Sequence, residues 1–330
     1  MKGNLTMNRA GSAIAIFLLA PLPGCTWQAA SQPVLTASTA QDRAPFVRTY
    51  ASQIKDVDSV NTHWFETDAG IVVIDAQRIL PEAEQAMAHL RASTDRPVVA
   101  IFVTHAHTDH YGGLPVWRRE FPDAIIYVGP ETLRSIREDS RGYNAARRER
   151  HGERFPTQNQ LSAAVAQARV IRDGQELTIG QTVLRIRSFG SSEAEETSVI
   201  ELPSQRTVFI GDLINIGMPA VPFESLAAWL EQIDQLSSGY AEFIMYQGHG
   251  PAPIAAAETP MQRRFLLDLQ SSVAARTSDG LLSGADAEAV AFELEGKWPF
   301  LYGVAGNTRR EIFMASAKMV AAQVGAEVEK

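Results

Sequence analysis

Short apolar runs alternate along the chain with longer segments whose apolar positions recur at helical spacing. Residues 97–103 form a continuous run rich in branched side chains, which is typical of a buried strand. Residues 60–67 and 71–74 flank a turn and predict a hairpin. Residues 81–92 follow with one apolar face, as expected for a helix. Strand followed by helix, repeated, predicts a layered α/β architecture.

The same alternation continues towards the end of the chain. An apolar stripe over residues 226–236 and the composition of residues 260–328 predict helices in the second half. The other predicted elements are helices at 114–121 and 130–139 and strands at 124–128, 182–187, 198–202, 207–210 and 243–246.

Residues 141–167 interrupt this alternation and carry five arginines. One interpretation is a solvated excursion from the domain. The other is a lid over a site, in which case its arginines attract an anionic substrate. The sequence leaves both interpretations open.

Four predicted strands end in polar residues that can carry chemistry. Asp75 follows the hairpin, Asp212 and His249 follow two later strands, and a cluster of histidines follows residues 97–103. In layered α/β folds, the loops beyond the strand ends form the functional site. We therefore expect these four strand ends to meet at one site.

The cluster after residues 97–103 reads His-Ala-His-Thr-Asp-His and is followed by two glycines. Three imidazoles and a carboxylate within six positions are ligands suited to zinc or iron. His105 and His107 can point to one side while the turn brings Asp109 and His110 to the other, so we expect two adjacent metal sites. The glycine pair would let the backbone turn sharply into the next helix.

Length and composition allow a folded domain behind an export signal. The chain has 330 residues, 45% of them hydrophobic, which is enough for a substantial core. Residues 1–24 join a basic start to a short apolar run and predict a secretory signal. Cys25 follows where a lipoprotein signal is cut and acylated; the alternative is a plain signal peptide with an incidental cysteine. Residues 25–45 predict a flexible tether, and residues 46–330 the domain.

Charge and cysteine content exclude some classes of function. The formal net charge is −8, or −10 once residues 1–24 and their two basic side chains are removed, so nucleic-acid binding is not expected. Cys25 is the only cysteine, so we expect no internal disulfide. We expect a periplasmic protein that meets the membrane only through a lipid anchor at Cys25. The sequence leaves its oligomeric state open.

From about residue 60 to residue 249 the sequence resembles the metallo-β-lactamase superfamily. The resemblance is carried by an aspartate after an early strand, the His-x-His-x-Asp-His stretch, a Gly-Asp pair and a final histidine, here Asp75, His105, His107, Asp109, His110, Asp212 and His249. It implies an α/β fold, a four-layer αβ/βα sandwich, with a dinuclear metal site at one edge.

One position departs from the family pattern. The family usually has a histidine in the glycine-containing loop before the Gly-Asp strand, and Glu193 stands at that place here. Because a carboxylate is a competent zinc ligand, we expect Glu193 to replace the histidine, with Glu195 or Glu196 as alternatives. The further alternative is that this loop binds nothing, so that the first site is weak or empty.

The resemblance implies a role for each candidate residue. Two zinc ions would be bound, one by His105, His107 and Glu193 and the other by Asp109, His110 and His249, with Asp212 bridging them. Asp109 would also orient the nucleophile, and Asp75 would orient a ligand or the backbone around His105, which makes both candidate catalytic residues. The other histidines lie outside the motif: His63 could line the site, His89 is expected on a helix surface, and His151 belongs to the insertion.

The expected function is that of a zinc-dependent hydrolase whose metal-bound hydroxide attacks a carbonyl ester, lactone or β-lactam. Asp212 resembles the hydrolase, lactonase and glyoxalase branches more than the true β-lactamases, which commonly have Cys or Ser there. One alternative is an enzyme of the same fold that oxidises sulfur compounds at a single iron. Another is a non-catalytic metal-binding protein of the cell envelope.

Overall fold

The computed structural model describes residues 47–51, 60–299, 301 and 309–329. The predicted signal at residues 1–24, the tether at residues 25–45 and Cys25 lie outside this part of the chain, so their assignments stay predictions. Among the helices of the described residues, none combines the length and the apolar character needed to cross a membrane.

The first sheet consists of six strands that lie side by side in chain order. They are β1 (Val47–Tyr50), β2 (Thr62–Glu66), β3 (Ile71–Ile74), β4 (Val98–Val103), β5 (Ile125–Val128) and β6 (Arg169–Val170). β1, β2 and β3 pair antiparallel, and β3 to β6 pair parallel. In β3, Ile71 and Val73 pack against helices, whereas Val72 and Ile74 face the other sheet. The strand is wholly apolar because both of its faces are buried.

The second sheet also has six strands in chain order. They are β7 (Glu176–Ile179), β8 (Thr182–Gly190), β9 (Glu196–Leu202), β10 (Thr207–Gly211), β11 (Ile244–Gln247) and β12 (Ile254–Ala255). All neighbours are antiparallel except β10 and β11. A short parallel pair, β13 (Leu281–Leu282) and β14 (Glu327–Val328), forms a separate sheet.

Helices cover the outer faces of the two large sheets. Their bounds are α1 (Leu80–Ser93), α2 (Thr108–Tyr111), α3 (Leu114–Glu120), α4 (Pro130–Glu138), α5 (Tyr143–His151), α6 (Gln158–Ala164), α7 (Leu226–Gly239), α8 (Thr259–Ala274), α9 (Gly284–Lys297) and α10 (Arg309–Gln323). Apolar side chains of α1, α3 and α6 share a core with the first sheet, and those of α7 to α10 share one with the second. A third core lies between the sheets. The predicted four-layer αβ/βα sandwich is confirmed.

Most of the predicted elements are present, with small shifts at their ends. The hairpin is β2 and β3, and the helical stripe in the second half is α7. In the two large sheets, the strands that the apolar pattern does not predict are the edge strands β1, β6, β7 and β12. The prediction that residues 260–328 are helical is wrong at β13 and β14, which form a short parallel pair there. The insertion at residues 141–167 is not irregular, since it contains α5 and α6.

The two large sheets meet beside the end of β4. The carbonyl oxygen of Thr104 accepts a hydrogen bond from the backbone N–H of Ser198 at 2.7 Å. The next residues, His105 and Thr197, form an isolated antiparallel bridge. The histidine cluster that follows β4 is therefore held against the first residues of β9, in the other sheet.

Candidate metal centre

The seven side chains predicted as metal ligands lie together in two adjoining groups. The first group is His105, His107, Glu193 and Asp212, and the second is Asp109, His110 and His249. Within each group the ligand atoms lie within 4.8 Å of one another. The histidines and the aspartate of the cluster come from the loop after β4 and from α2, Glu193 from the loop between β8 and β9, Asp212 from the end of β10, and His249 from the end of β11.

Glu193 is the glutamate of its loop that faces the histidines. Its Oε1 lies 2.7 Å from His107 Nδ1, and its Oε2 lies 3.5 Å from His105 Nε2. The two alternatives are engaged elsewhere: Glu195 lies 2.7 Å from an arginine of the insertion, and Glu196 accepts a backbone hydrogen bond at the start of α4. The geometry therefore favours Glu193 over both.

Asp212 lies between the two groups. Its Oδ1 is 3.4 Å from His110 Nε2, and its Oδ2 is 3.1 Å from His249 Nε2. His249 Nε2 also lies 3.1 Å from Asp109 Oδ2. One carboxylate of the first group thus reaches two histidines of the second, as a bridging ligand must.

Asp75 contacts His110, a member of the second group, and the neighbouring residue Thr104. Its carboxylate accepts hydrogen bonds from the backbone N–H and the hydroxyl of Thr104, each at 2.9 Å, and its Oδ2 lies 2.8 Å from His110 Nδ1. These contacts orient the His110 ring so that Nε2 faces the site. Asp75 has a φ of +63°, and its contacts with Thr104 and His110 offset the strain of that left-handed conformation.

Three glycines are required by close approaches around the site. A Cβ atom at Gly113 would lie 1.9 Å from the carbonyl oxygen of Ala76, and one at Gly248 would lie 2.0 Å from Asp212 Oδ1. Gly112 is similarly close to a backbone carbonyl oxygen. The chain turns at Gly112 and Gly113 between α2 and α3, as predicted, but both glycines have right-handed helical dihedral angles. Their small size, and not their backbone freedom, lets α2 and α3 pack against the loop after β3.

Charges are buried in this site, and they shift one another's pKa values. Burial lowers the pKa of His105 well below its usual value. Burial opposes ionisation of Asp109, but Arg78 and nearby histidines lower the pKa of this carboxyl well below its usual range. For His249 burial opposes protonation, yet Asp212 and Asp109 raise its pKa to about 10. The buried carboxylates therefore stabilise positive charge within the site.

The two groups fit divalent metal ions. Imidazole nitrogens and carboxylate oxygens are common zinc ligands. Within the described residues, three buried atoms of the groups have no hydrogen-bond partner, namely His110 Nε2, Glu193 Oε2 and Asp212 Oδ1. Unpartnered buried polar atoms are rare in native proteins, and metal coordination would satisfy all three.

The two groups open onto a cavity of about 490 Å³. Arg78 lies beside them, with its Nη2 3.0 Å from Asp109 Oδ2. One wall of the cavity comes from α5 of the insertion, and another comes from residues 218–223 together with α10. The structure therefore favours the interpretation in which the insertion covers the site.

His63 was expected as a possible lining residue, and the structure gives it another role. It is buried, and it is not among the described residues that line the cavity. Its Nε2 donates to the carbonyl oxygen of Gln247 at 3.0 Å, and its Nδ1 accepts from the Thr49 hydroxyl at 2.9 Å. His89 lies exposed on α1, and His151 is the last residue of α5.

The sequence pattern does not identify Arg78, Tyr143 or Phe223 as site residues. Arg78 stands three positions after Asp75, and a cation so near a predicted site residue is a signal that could have identified it. Tyr143 and Phe223 flank His107, with ring centroids 6.3 Å and 4.9 Å from its own. They come from the insertion and from the irregular segment before α7, where no periodicity indicates which side chains face the site.

The chain matches the family model of the metallo-beta-lactamase superfamily over residues 56–249. It is 25% identical over 248 residues to the atrochrysone carboxyl ACP thioesterase of Aspergillus fumigatus, covering 72% of this chain and 68% of the relative. It is 24% identical over 295 residues to the linear primary-alkylsulfatase of a Pseudomonas species, covering 75% of this chain and 54% of the relative. The chain thus spans about half the length of the alkylsulfatase.

A solved structure shares the fold over nearly its whole length. A metallo-beta-lactamase family protein from Thermus thermophilus superimposes with a TM-score of 0.58 at 18% sequence identity. The match covers 85% of this chain and 94% of the other. At this identity the similarity establishes the layered architecture and no shared activity.

Proposed function

Since the chain belongs to the metallo-β-lactamase superfamily and is a metal-dependent hydrolase, we propose that it hydrolyses a small-molecule ester or lactone at a centre of two zinc ions. The observation that supports this is the pair of adjoining ligand groups beside one cavity. Each group alone has at least three ligands, and Asp212 contacts both, so the geometry supports two ions over one.

The proposed ligands are His105, His107 and Glu193 for one ion, Asp109, His110 and His249 for the other, and Asp212 for both. When bound, two such ions lower the pKa of a shared water and polarise a substrate carbonyl group. Asp109 is the carboxylate that would both hold an ion and orient the attacking water. Asp75 acts through His110, whose ring it fixes by the contact to Nδ1.

Two features support an ester over a β-lactam. Glu193 stands where the family usually has a neutral imidazole. A carboxylate there removes one unit of positive charge from the centre and weakens its action on a carbonyl group with a poor leaving group, so an ester is favoured over an amide. The curated relatives include a thioesterase and a sulfatase by name, and both cleave ester-type bonds. We therefore propose that any β-lactamase activity is slight.

The proposed location is the periplasm, with a lipid anchor at Cys25. It is supported by the basic start, the apolar run and the position of the cysteine. Labelling of the full chain with a fatty acid, compared with Cys25→Ala, tests this.

Metal content is the first test of the proposed centre. Elemental analysis of the chain from Cys25 onwards, purified without chelator, is expected to find about two zinc ions, falling to about one in Glu193→Ala. Glu176→Ala, which removes an exposed carboxylate on β7, serves as the matched control and should keep both. One iron ion, unchanged by Glu193→Ala, would contradict the proposal and direct attention to oxidation of sulfur compounds.

Turnover is the second test. Asp109→Asn should lower the hydrolysis of a chromogenic ester by about 100-fold or more, because the orientation of the attacking water is lost. A variant that binds both metals and hydrolyses the ester as fast as the wild type would support the non-catalytic alternative.

A further inference from the structure

The cavity has two chemically different walls. The cationic wall is the face of α5 that carries Tyr143, Arg147 and Arg150. The apolar wall is formed by the segment before α7 and by α10. Its apolar side chains include Met218, Pro219, Val221, Phe223, Ile312 and Met319, and Glu311 of α10 also lines the cavity. Members of both ligand groups also line the cavity.

His107 contacts one aromatic ring from each wall. Tyr143 packs beside it from α5, and Phe223 packs beside it from the apolar wall. Arg147 and Arg150 follow Tyr143 by four and seven positions, so all three lie on one face of the helix. At a rise of about 1.5 Å per residue, the two arginines lie about 6 Å and 10 Å further along the helix axis.

Apart from the metal ligands, the charged side chains that line the cavity are Arg78, Arg147, Arg150 and Glu311. Three cations against one carboxylate leave an excess of positive charge. Arg78 is paired with Asp109 beside the ligand groups, so the cations further along the cavity are those on the cationic wall. A guanidinium group binds a carboxylate through two parallel hydrogen bonds.

We infer that the substrate is an ester that also carries a carboxylate remote from the reacting bond. The carboxylate binds Arg147 and Arg150, and the apolar part of the molecule lies along the apolar wall. Four to six methylene groups between the two functional groups span about 6 to 9 Å, which matches the spacing along α5. This inference rests on the proposed hydrolase function and adds the substrate class to it.

The test compares two esters of equal length, the mono-4-nitrophenyl ester of hexanedioic acid and 4-nitrophenyl hexanoate, with the zinc-loaded protein. The wild type is expected to prefer the anionic ester by about tenfold in kcat/KM. Arg150→Gln should lower this preference about fivefold, mainly through KM, since it removes one half of the carboxylate site. Arg154→Gln removes an exposed arginine of the same insertion that is not a lining residue, and it should change the preference less than twofold.

Binding of a non-hydrolysable analogue separates this inference from the proposed function. The mono-anilide of hexanedioic acid should bind about tenfold more tightly than hexanoic anilide by calorimetry, and Arg150→Gln should reduce that difference. If neither ester is hydrolysed but the anilides differ as expected, the hydrolase proposal fails and the anion site stands.

Other outcomes would overturn the inference. Equal affinity for the two anilides, or the same loss of preference in Arg154→Gln as in Arg150→Gln, would remove the cationic wall from substrate binding. Hydrolysis of hexyl sulfate in preference to both carboxylic esters, unaffected by Arg150→Gln, would place the anionic group at the metal ions and not on α5.

Discussion

Asp109 Oδ2 has two close partners, the guanidinium Nη2 of Arg78 at 3.0 Å and His249 Nε2 at 3.1 Å. The side chains of Arg78 and Asp109 are both less than one-tenth exposed. A buried ion pair of this kind costs much desolvation, and removing one partner leaves the other charge uncompensated. Arg78 is therefore a positioning residue for the carboxylate that we propose orients the nucleophile.

We expect Arg78→Met to destabilise the protein by about 3 kcal/mol and to lower kcat of ester hydrolysis by about 100-fold. Arg78→Lys keeps the charge but loses the planar fork, so it should recover the stability in part and still lower kcat by about tenfold. Urea unfolding and steady-state kinetics measure both effects. Arg119→Met breaks an exposed pair with Glu84 and should cost less than about 1 kcal/mol; an equal cost in both methionine variants would contradict the assigned role.

The sequence indicates the proposed ligand residues better than it indicates the residues that support them. The cluster from His105 to His110 is dense enough to indicate metal chemistry by itself, whereas Glu193 is proposed because it stands where the family resemblance implies a histidine. Arg78 makes its contact with a residue 31 positions later, through a fold that local spacing does not describe. A residue that positions a distant partner, as Arg78 positions Asp109, can be identified only from the folded structure, in which the two strand ends lie together.

The loop that carries Glu193 is held by the insertion and by the segment before α7. Arg141 Nη2 lies 2.7 Å from Glu195 Oε1, and the same guanidinium also pairs with Glu224. The carbonyl oxygen of Ser192 accepts hydrogen bonds from the backbone N–H groups at positions 224 and 225. Arg141 thus joins three elements around one proposed ligand.

Arg141→Gln should weaken zinc binding at the first ligand group by about tenfold and leave the second group unchanged. The reason is that Glu193 loses the support of its neighbour Glu195, while Asp109, His110 and His249 come from other elements. Titration against a chromophoric chelator resolves the two binding steps.

Arg187→Gln is the matched control for Arg141→Gln, because it breaks an exposed ion pair with Asp173, a residue that is not among the ligands. It should leave both binding steps as they are. Equal weakening of both steps in Arg141→Gln would indicate a general loss of stability and would refute the local role of the arginine.

The apolar pattern predicts the inner strands of both sheets and none of the edge strands. β3 and β4 are buried on both faces and are therefore nearly continuous apolar runs. β1, β6, β7 and β12 lie at sheet edges, where they are short and partly exposed, so their sequences resemble loops. The cationic wall of the cavity comes from α5, and part of the apolar wall comes from the segment before α7. Neither element shows a sequence pattern that identifies the side chains facing the cavity, so the sequence does not indicate the substrate class.

On the scale of the whole molecule, the two sheets are joined by buried polar contacts near the site. Asn61 Nδ2 donates to the carbonyl oxygens of Gln247 and Gly250, at 3.1 Å and 2.9 Å. His63 Nε2 donates to the same Gln247 carbonyl, and the ring packs between Phe209 and Tyr246. These contacts connect β2 of the first sheet to the end of β11, immediately before His249. Their partners lie more than 180 positions apart, and no sequence periodicity links them.

The protonation of His63 couples this junction to pH. Burial lowers the pKa of His63 to about 4, against about 6.5 in an unfolded chain. Between these values the unfolded chain binds a proton that the folded protein does not, so the free energy of unfolding falls as the pH falls from about 6.5 to about 4. Below about pH 4 both states are protonated and this contribution no longer changes.

His63→Gln removes this proton uptake while keeping a side chain that can donate to the Gln247 carbonyl. Between pH 7 and pH 5 the wild type should therefore lose about 2 kcal/mol more stability than His63→Gln. Urea unfolding at the two pH values measures the difference, and the subtraction cancels the pH dependence of metal binding, which both proteins share. His89→Gln, at an exposed histidine on α1, should follow the wild type. If His63→Gln loses as much stability as the wild type on acidification, then the junction between the sheets does not depend on a neutral His63.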